Sequence, residues 1–225
     1  MKTFVVLTAA VTAASLVTTQ AAIIGDWTFE TSVPATAGPF GPELGAGNAL
    51  GSHAGAAVYS SPAGNGSAHS FSANTWAVGD YWEFDVSTVG FAGIQISYDQ
   101  VSSGTGPGVF GLFYSVNGSP YAQIGANYTV LANASPNPVW NTATSSSIYT
   151  FTPSLASLGT ALDNDASVSF RLVDQTTTSA NNGTVATGGT DRVDNFVVST
   201  VPEPGSLALG LVGGFAWLLA LRRKH

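Results

Sequence analysis

The 225-residue chain contains no cysteine. A domain without cysteine cannot be cross-linked by disulfides, so its stability must come from its core, its hydrogen-bonded sheets and any metal it binds. The same absence excludes thiol nucleophiles, and it excludes zinc or iron–sulfur sites built on cysteine ligands.

Positive charge is almost as scarce. No lysine lies between Lys2 and Lys224, and residues 23–204 contain only Arg171 and Arg192 against all 13 acids, which gives that segment a net charge of −11. Lysine-dependent catalysis is therefore excluded there. A surface this acidic repels nucleic acid and anionic lipid, so nucleic-acid binding is excluded as a function, whereas cations and neutral glycans remain compatible.

A helical hydrophobic period is also missing between residues 23 and 200, and the pattern there is that of β-strands. Residues 81–86 alternate, with Trp82 and Phe84 on one face and Glu83 and Asp85 on the other. Asn117-Gly118 predicts a hairpin turn, since both residues tolerate positive φ. Other strands are expected at residues 24–30, 57–60, 69–73, 94–98, 110–116, 123–131, 147–151, 168–172 and 192–199.

About ten short strands separated by turn residues predict an all-β fold. We expect an antiparallel two-sheet sandwich, jelly-roll-like, that forms one exported domain over residues 23–200. Residues 31–52 and 132–146 are rich in Pro, Gly, Ser and Thr, and they are expected to be long loops within this domain.

The C-terminal residues 201–225 combine three features in order: a Pro-Glu-Pro turn, an apolar run and a basic end. The run at residues 205–221 would form a helix of about 25 Å, short for a bilayer core of about 30 Å, yet a buried core helix would not carry all its charge at one end. We expect a transmembrane helix whose basic end stays cytoplasmic. The motif consists of Pro202, Glu203 and Pro204, and the basic cluster of Arg222, Arg223 and Lys224.

The N-terminal residues 1–22 have the organisation of a secretory signal peptide. Lys2 supplies the positive start, Phe4–Val17 is mostly apolar, and small residues precede a cleavage site after Ala21 or Ala22. We therefore expect export across the inner membrane, followed by transient anchoring through the C-terminal helix.

The C-terminal features together resemble the PEP-CTERM sorting signal of Gram-negative bacteria. The resemblance covers residues 201–225 only. It implies that an exosortase-type processing enzyme of the membrane is a partner, that the protein ends in the cell envelope or extracellular matrix, and that its setting is exopolysaccharide and biofilm. The cleavage bond and the final attachment stay open.

The predicted first and last strands of the domain resemble those of jelly-roll carbohydrate-binding modules. Their sequences are Trp-Thr-Phe-Glu at residues 27–30 and Arg-Val-Asp-Asn-Phe-Val-Val at residues 192–198. In such modules these strands often lie side by side, and an acid from each can bind a structural Ca²⁺. The resemblance implies Glu30 and Asp194 as calcium ligands; the alternative is that Asp194 and Asn195 only cap a strand end.

Catalytic motifs are missing from the sequence. Glu83 and Asp85 lie on one strand face at a spacing that glycoside hydrolysis could use, but they alternate with core aromatics as the residues of any solvent face do. Asp163-Asn164-Asp165 lacks the glycine and the distant acid of a calcium loop, so a turn is expected. We do not expect an enzyme.

Aromatic residues in or near loops, or on the face opposite the apparent core, are the candidates for binding sugars: Trp76, Tyr81, Phe113, Tyr121, Tyr128 and Trp140. The two tryptophans are the best of them. Trp76 and Trp140 lie in predicted loops, where flat rings could stack on sugars; the alternative is that they pack in the core or at its rim. The sequence thus predicts a non-catalytic protein of the envelope or matrix. The alternative is a carbohydrate-binding module with a definite glycan site, for which exopolysaccharide is a candidate partner.

Overall fold

The computed structural model describes residues 20–201, of which Ala22–Val201 form a compact unit. The signal peptide, apart from its last residues, lies outside the described residues, as do the sorting motif, the predicted transmembrane helix and the basic cluster at residues 202–225. Within residues 20–201, no helix is long and apolar enough to cross a membrane.

The unit is all-β and consists of two antiparallel sheets, as the alternating pattern predicts. The strands are β1 (Ile23–Trp27), β2 (Leu44–Gly45), β3 (Asn48–Ser52), β4 (Tyr59–Ser60), β5 (Phe71–Ala73), β6 (Tyr81–Val86), β7 (Ile94–Ser102), β8 (Val109–Val116), β9 (Ala122–Thr129), β10 (Thr150–Phe151), β11 (Val168–Asp174) and β12 (Asp191–Thr200). Two short 3-10 helices occur at Ser147–Tyr149 and Ala156–Leu158.

The seven-stranded sheet has the order β10-β7-β12-β1-β2, with β5 also pairing β12 and β4 pairing β5. The first and last strands, β1 and β12, therefore lie side by side, as the resemblance implied. The five-stranded sheet has the order β3-β6-β11-β8-β9. Strands β9 and β10 are thus edge strands of different sheets.

The core between the sheets is built from large aromatic side chains. The rings of Phe84 and Phe196, one from each sheet, stack with centroids 3.6 Å apart, and Trp27 packs edge-on against both. A second, smaller cluster of Val101, Trp140 and Tyr149 lies outside this core. Alternation places the apolar residues of each strand inward, so the polar residues of β6 and β11 face out.

Three local predictions need correction. Residues 31–52 are not a continuous loop, since they contain β2 and β3. Strand β1 ends at Trp27, before the predicted end at residue 30, because Phe29 has φ of 58°, outside the β region. The predicted strand at residues 147–151 begins as a 3-10 helix, and only Thr150–Phe151 pairs, with β7.

Candidate functional site

The outer surface of the five-stranded sheet carries aromatic, amide and charged side chains side by side. Arg171 on β11 lies opposite Glu83 on β6 and Phe113 on β8, and Phe113 lies opposite Gln123 on β9. Facing residues in neighbouring strands share a side of the sheet, so these four form one row. We call this surface the tyrosine–arginine face; it comprises Tyr81, Glu83, Phe113, Tyr121, Gln123, Asn127 and Arg171.

Arg171 is the centre of this face. Its guanidinium carbon lies 3.9 Å from the ring centroid of Tyr81 and 3.7 Å from that of Tyr121, so two rings contact the cation. Its Nε–H donates to Glu83 Oε2, which also accepts from the Tyr121 hydroxyl at 2.7 Å. The Arg171 side chain remains 25% exposed. Its terminal nitrogens have no hydrogen-bond partner among residues 20–201, so their N–H groups can bind an external oxygen.

Burial, and then the hydrogen bond to Glu83, raise the pKa of Tyr121 to about 12. The hydroxyl therefore stays protonated at neutral pH and keeps its bond to the Glu83 carboxylate.

The ring of Phe113 lies next to Gly111, which has no side chain. A Cβ added to Gly111 would lie 2.8 Å from the Phe113 ring, so the ring takes this position because the glycine has no side chain. Beside it, Gln123 Nε2 donates to Asn127 Oδ1 at 2.7 Å, and both amides are exposed. Half-buried rings next to amides and charged groups form a surface that can bind a ligand with both apolar and hydroxyl-bearing sides.

The two tryptophans predicted as sugar platforms are buried. Trp76 is 7% exposed and belongs to the main core, where its indole N–H donates to Ala73 O. Trp140 is 3% exposed and donates to Ala63 O. The expectation of exposed rings is therefore corrected: the ring of Trp76 packs against those of Trp82 and Phe110, and the ring of Trp140 packs against that of Tyr149, so neither offers a free face to a sugar.

The two acids implied as calcium ligands both bind the segment at residues 64–69. Glu30, which is exposed, accepts a hydrogen bond from His69 N at 2.8 Å. Asp194, which is fully buried, accepts from Asn65 N at 2.9 Å and from the Ser67 hydroxyl at 2.7 Å. The predicted pair thus meets at one segment, although each acid reaches a different part of it.

The groups around Asp194 decide whether this side chain could help to bind a cation. Three oxygens, Asp194 Oδ2, Ser67 Oγ and His69 O, converge beside Gly64 and lie 1.9–2.2 Å from the position that a Cβ on Gly64 would take, so only glycine fits against them. Burial raises the pKa of Asp194 to about 7, a cost that a bound cation would offset. Within residues 20–201, no three His, Cys, Asp or Glu side chains form a metal-binding group. The oxygens fit Ca²⁺ only if carbonyl and hydroxyl groups complete its shell.

The sequence pointed to Tyr81, Phe113 and Tyr121 as rings that could bind sugars, but not to their grouping around Arg171. Arg171 is one of two cations in residues 23–204 and lies on a predicted strand at an outward position. The sequence does not show that β11, which carries Arg171, pairs with β6 and β8. This pairing brings Tyr81 and Phe113 to the two sides of Arg171.

No family model matches the chain, and no curated protein matches it. Among solved structures, the chain is similar to the K3 cleaved adhesin domain of Lys-gingipain from Porphyromonas gingivalis, with a TM-score of 0.41 and 15% identity over 80% of this chain and 100% of that one. It is also similar to TmCBM61, solved with β-1,4-galactotriose, with a TM-score of 0.37 and 12% identity over 80% of this chain and 95% of that one.

A third similar structure is a Paenibacillus xanthan lyase, with a TM-score of 0.38 and 16% identity over 80% of this chain. The match spans only 13% of the lyase. Similarity at these values assigns neither a family nor a ligand to this chain.

Proposed function

We propose that the protein is an exported, non-catalytic component of the cell envelope or extracellular matrix, and that its sandwich binds a neutral glycan on the tyrosine–arginine face. The observation that carries the proposal is the placement of Tyr81, Tyr121 and Phe113 on the outside of a sheet, next to free guanidinium and amide groups. Core packing does not require aromatic residues there.

The chemistry of the face suits a sugar ring. An aromatic ring contacts the apolar C–H side of a sugar, and the guanidinium and amide groups bond to its hydroxyls. The charge of the unit favours a neutral glycan, because residues 20–201 contain 12 acids and two arginines. An anionic polymer would be repelled before it reached the face.

The test is affinity electrophoresis of the Ala22–Val201 unit in gels containing the producing organism's exopolysaccharide or a panel of neutral polysaccharides. We expect Phe113→Ala and Arg171→Ala each to weaken retardation roughly tenfold, since one aromatic or cationic contact contributes about 1–1.5 kcal/mol. Ile148→Ala, which removes an apolar side chain that is 45% exposed away from this face, is the matched control. Equal retardation of all three variants, or no retardation of the parent protein, would contradict the proposal.

We further propose that Ca²⁺ stabilises the segment at residues 64–69. The ligands would be Asp194, the Ser67 hydroxyl and the His69 carbonyl, with Glu30 at the periphery. The convergence of three oxygens beside Gly64 and the raised pKa of buried Asp194 support this.

The C-terminal residues support a proposal about sorting. In the PEP-CTERM reading, Pro202, Glu203 and Pro204 are recognised by an exosortase-type enzyme while residues 205–221 span the inner membrane. Arg222, Arg223 and Lys224 hold the helix with its end in the cytoplasm. Processing would then transfer the β-sandwich to the envelope or matrix of a Gram-negative bacterium.

A further inference from the structure

One continuous stretch of the chain is free of charge. Residues 100–162 contain no Asp, Glu, Lys, Arg or His, although the described chain holds 12 acids and two arginines elsewhere. This stretch supplies β8, β9, β10 and both 3-10 helices. Strand β9 is the edge of the five-stranded sheet, and β10 is the edge of the seven-stranded sheet. We call β9, β10 and residues 152–154 the uncharged flank.

The two edges do not close against each other. A recess of about 440 Å³ lies between them, with Tyr98, Leu112 and Ile124 among its buried lining residues and Phe151 and Tyr128 beside them. Every residue that lines the recess is uncharged. A charged partner would lose hydration here and find no counter-charge, so the surface fits an uncharged partner.

Strand β9 also has an unpaired edge. Apart from the ladder to β8, the backbone groups of Ala122–Thr129 make no hydrogen bond to the described chain. Its side chains are mostly exposed, and the strand contains neither proline nor a charged residue, two features that commonly protect edges. The remaining protection is a bulge at residues 125–127, where Gly125 has φ of 67°. The bulge prevents a long continuous ladder and leaves two short straight parts of the edge.

We propose that the uncharged flank is the surface through which two copies of this chain associate. Each unit holds 12 acids against two arginines, so two copies repel each other. The repulsion is least when the copies meet through the uncharged flank, which keeps the acids of one copy far from those of the other. An edge strand that meets its own copy in antiparallel fashion forms a closed two-fold pair. The bulge favours such a pair over open-ended growth of the sheet, and the recess receives side chains of the partner copy.

The chain contains no cysteine, so one introduced thiol is the only one present. In the full-length chain, Ala122→Cys and Ala126→Cys place that thiol on exposed positions of β9, and Ala56→Cys places it on an exposed position before β4. We expect oxidation to yield a disulfide-linked dimer for at least one β9 variant and not for Ala56→Cys. Equal cross-linking of all three would indicate random collision and would overturn the proposal.

Sedimentation of the Ala22–Val201 unit provides the second measurement. We expect a monomer–dimer equilibrium that shifts toward the dimer as salt rises from about 0.05 M to about 0.5 M, because salt screens the repulsion. Ala126→Asp should weaken dimerisation at least tenfold, whereas Ala56→Asp should not. If neither β9 cysteine variant cross-links, loss of the dimer in Ala126→Asp still supports the uncharged flank as the dimer interface. A monomer at every concentration, or a dimer unaffected by Ala126→Asp, overturns it.

Discussion

Asp191 is a buried carboxyl group whose neighbours indicate that it is protonated. Its Oδ1 accepts hydrogen bonds from Trp82 Nε1 at 2.7 Å and Gln100 Nε2 at 3.0 Å. Its Oδ2 lies 3.0 Å from Ser102 Oγ, which itself lies 2.6 Å from Pro107 O. The carbonyl can only accept, so it takes the single hydroxyl hydrogen of Ser102. Asp191 Oδ2 must then carry the proton and donate to Ser102 Oγ.

The electrostatics of Asp191 agree with this assignment, because burial raises its pKa to about 7. An acid whose pKa is higher in the folded than in the unfolded state, here above 3.8, binds its proton more tightly when folded. Its stabilising effect is therefore complete below about pH 4 and is lost as the pH rises to about 7. Over that range the free energy of unfolding falls by up to about 1.4 kcal/mol per pH unit.

Replacing Asp191 by asparagine should remove this dependence. In Asp191→Asn, the amide Nδ2 can donate to Ser102 while Oδ1 still accepts from Trp82 and Gln100. We expect the variant to match the parent at about pH 4 and to exceed it by a few kcal/mol at about pH 8, as measured by urea unfolding. Asp163→Asn removes the same charge from a surface turn and serves as the control. An Asp191→Asn variant that is less stable than the parent at both pH values would show that the carboxylate is the native form.

At the scale of elements, the segment at residues 64–69 depends on β12 for its position. Asp194 lies where the register of β12 shifts against β7, and Asn195 next to it has φ of 49°. Asn195 Nδ2 donates to Asp99 on β7 and to Asp194 itself, so it separates two buried carboxyl groups. The irregularity in the strand thus turns Asp194 toward the segment.

Removal of calcium tests this element. We expect the melting temperature of the Ala22–Val201 unit to rise on addition of Ca²⁺ and to fall on chelation, because a ligand at about 100 times its Kd adds about 2.7 kcal/mol. Asp194→Asn should abolish the response, whereas Asp191→Asn should retain it. Calcium should also lower the pKa of Asp194, because the cation favours the carboxylate over the acid, so that less stability is lost as the pH rises toward 7. Identical melting with and without calcium would exclude the site.

The elements that the sequence predicts well are those with strong alternation. Strand β6 was predicted at the residues where it occurs, and Asn117 and Gly118 have the positive φ values, 50° and 76°, expected of the hairpin. Strand β3 was missed because Asn-Ala-Leu-Gly-Ser contains few strand-forming residues. It forms because β6 on one side and a bridge between Phe40 and Ala49 on the other satisfy its backbone.

Burial of loop residues was the least predictable property. Trp140 follows a proline-rich stretch that resembles an exposed loop, yet it packs against Tyr149 with ring centroids 5.4 Å apart. Composition cannot show which distant segment covers a side chain, here the one containing Ala63. The same limit hid the grouping of the tyrosine–arginine face, whose members come from β6, β8, β9 and β11 and, for Tyr121, from the residue before β9.

At the scale of the whole molecule, two adjoining surfaces, which share Gln123 and Asn127 of β9, have different proposed partners. The tyrosine–arginine face lies on the outside of the five-stranded sheet, and the uncharged flank lies at its β9 edge. A pair formed through the flank would leave the outer faces of both five-stranded sheets uncovered. Pairing would then link two glycan sites, and a second bound site raises the apparent affinity for a polymer without any new contact.

The sorting proposal concerns the full chain and is tested in the producing organism. Changing Arg222 and Arg223 to glutamate removes the positive charge that keeps the C-terminal end in the cytoplasm, so we expect the variant to fail in anchoring and processing. The measurement is cell fractionation with gel mobility, in which the parent chain should shorten and leave the inner membrane. Changing Arg222 and Arg223 to lysine keeps the positive charge at the same two positions, and this variant should be processed normally. Fractionation of the tail variant like that of the parent chain would contradict the sorting proposal while leaving the glycan and pairing proposals intact.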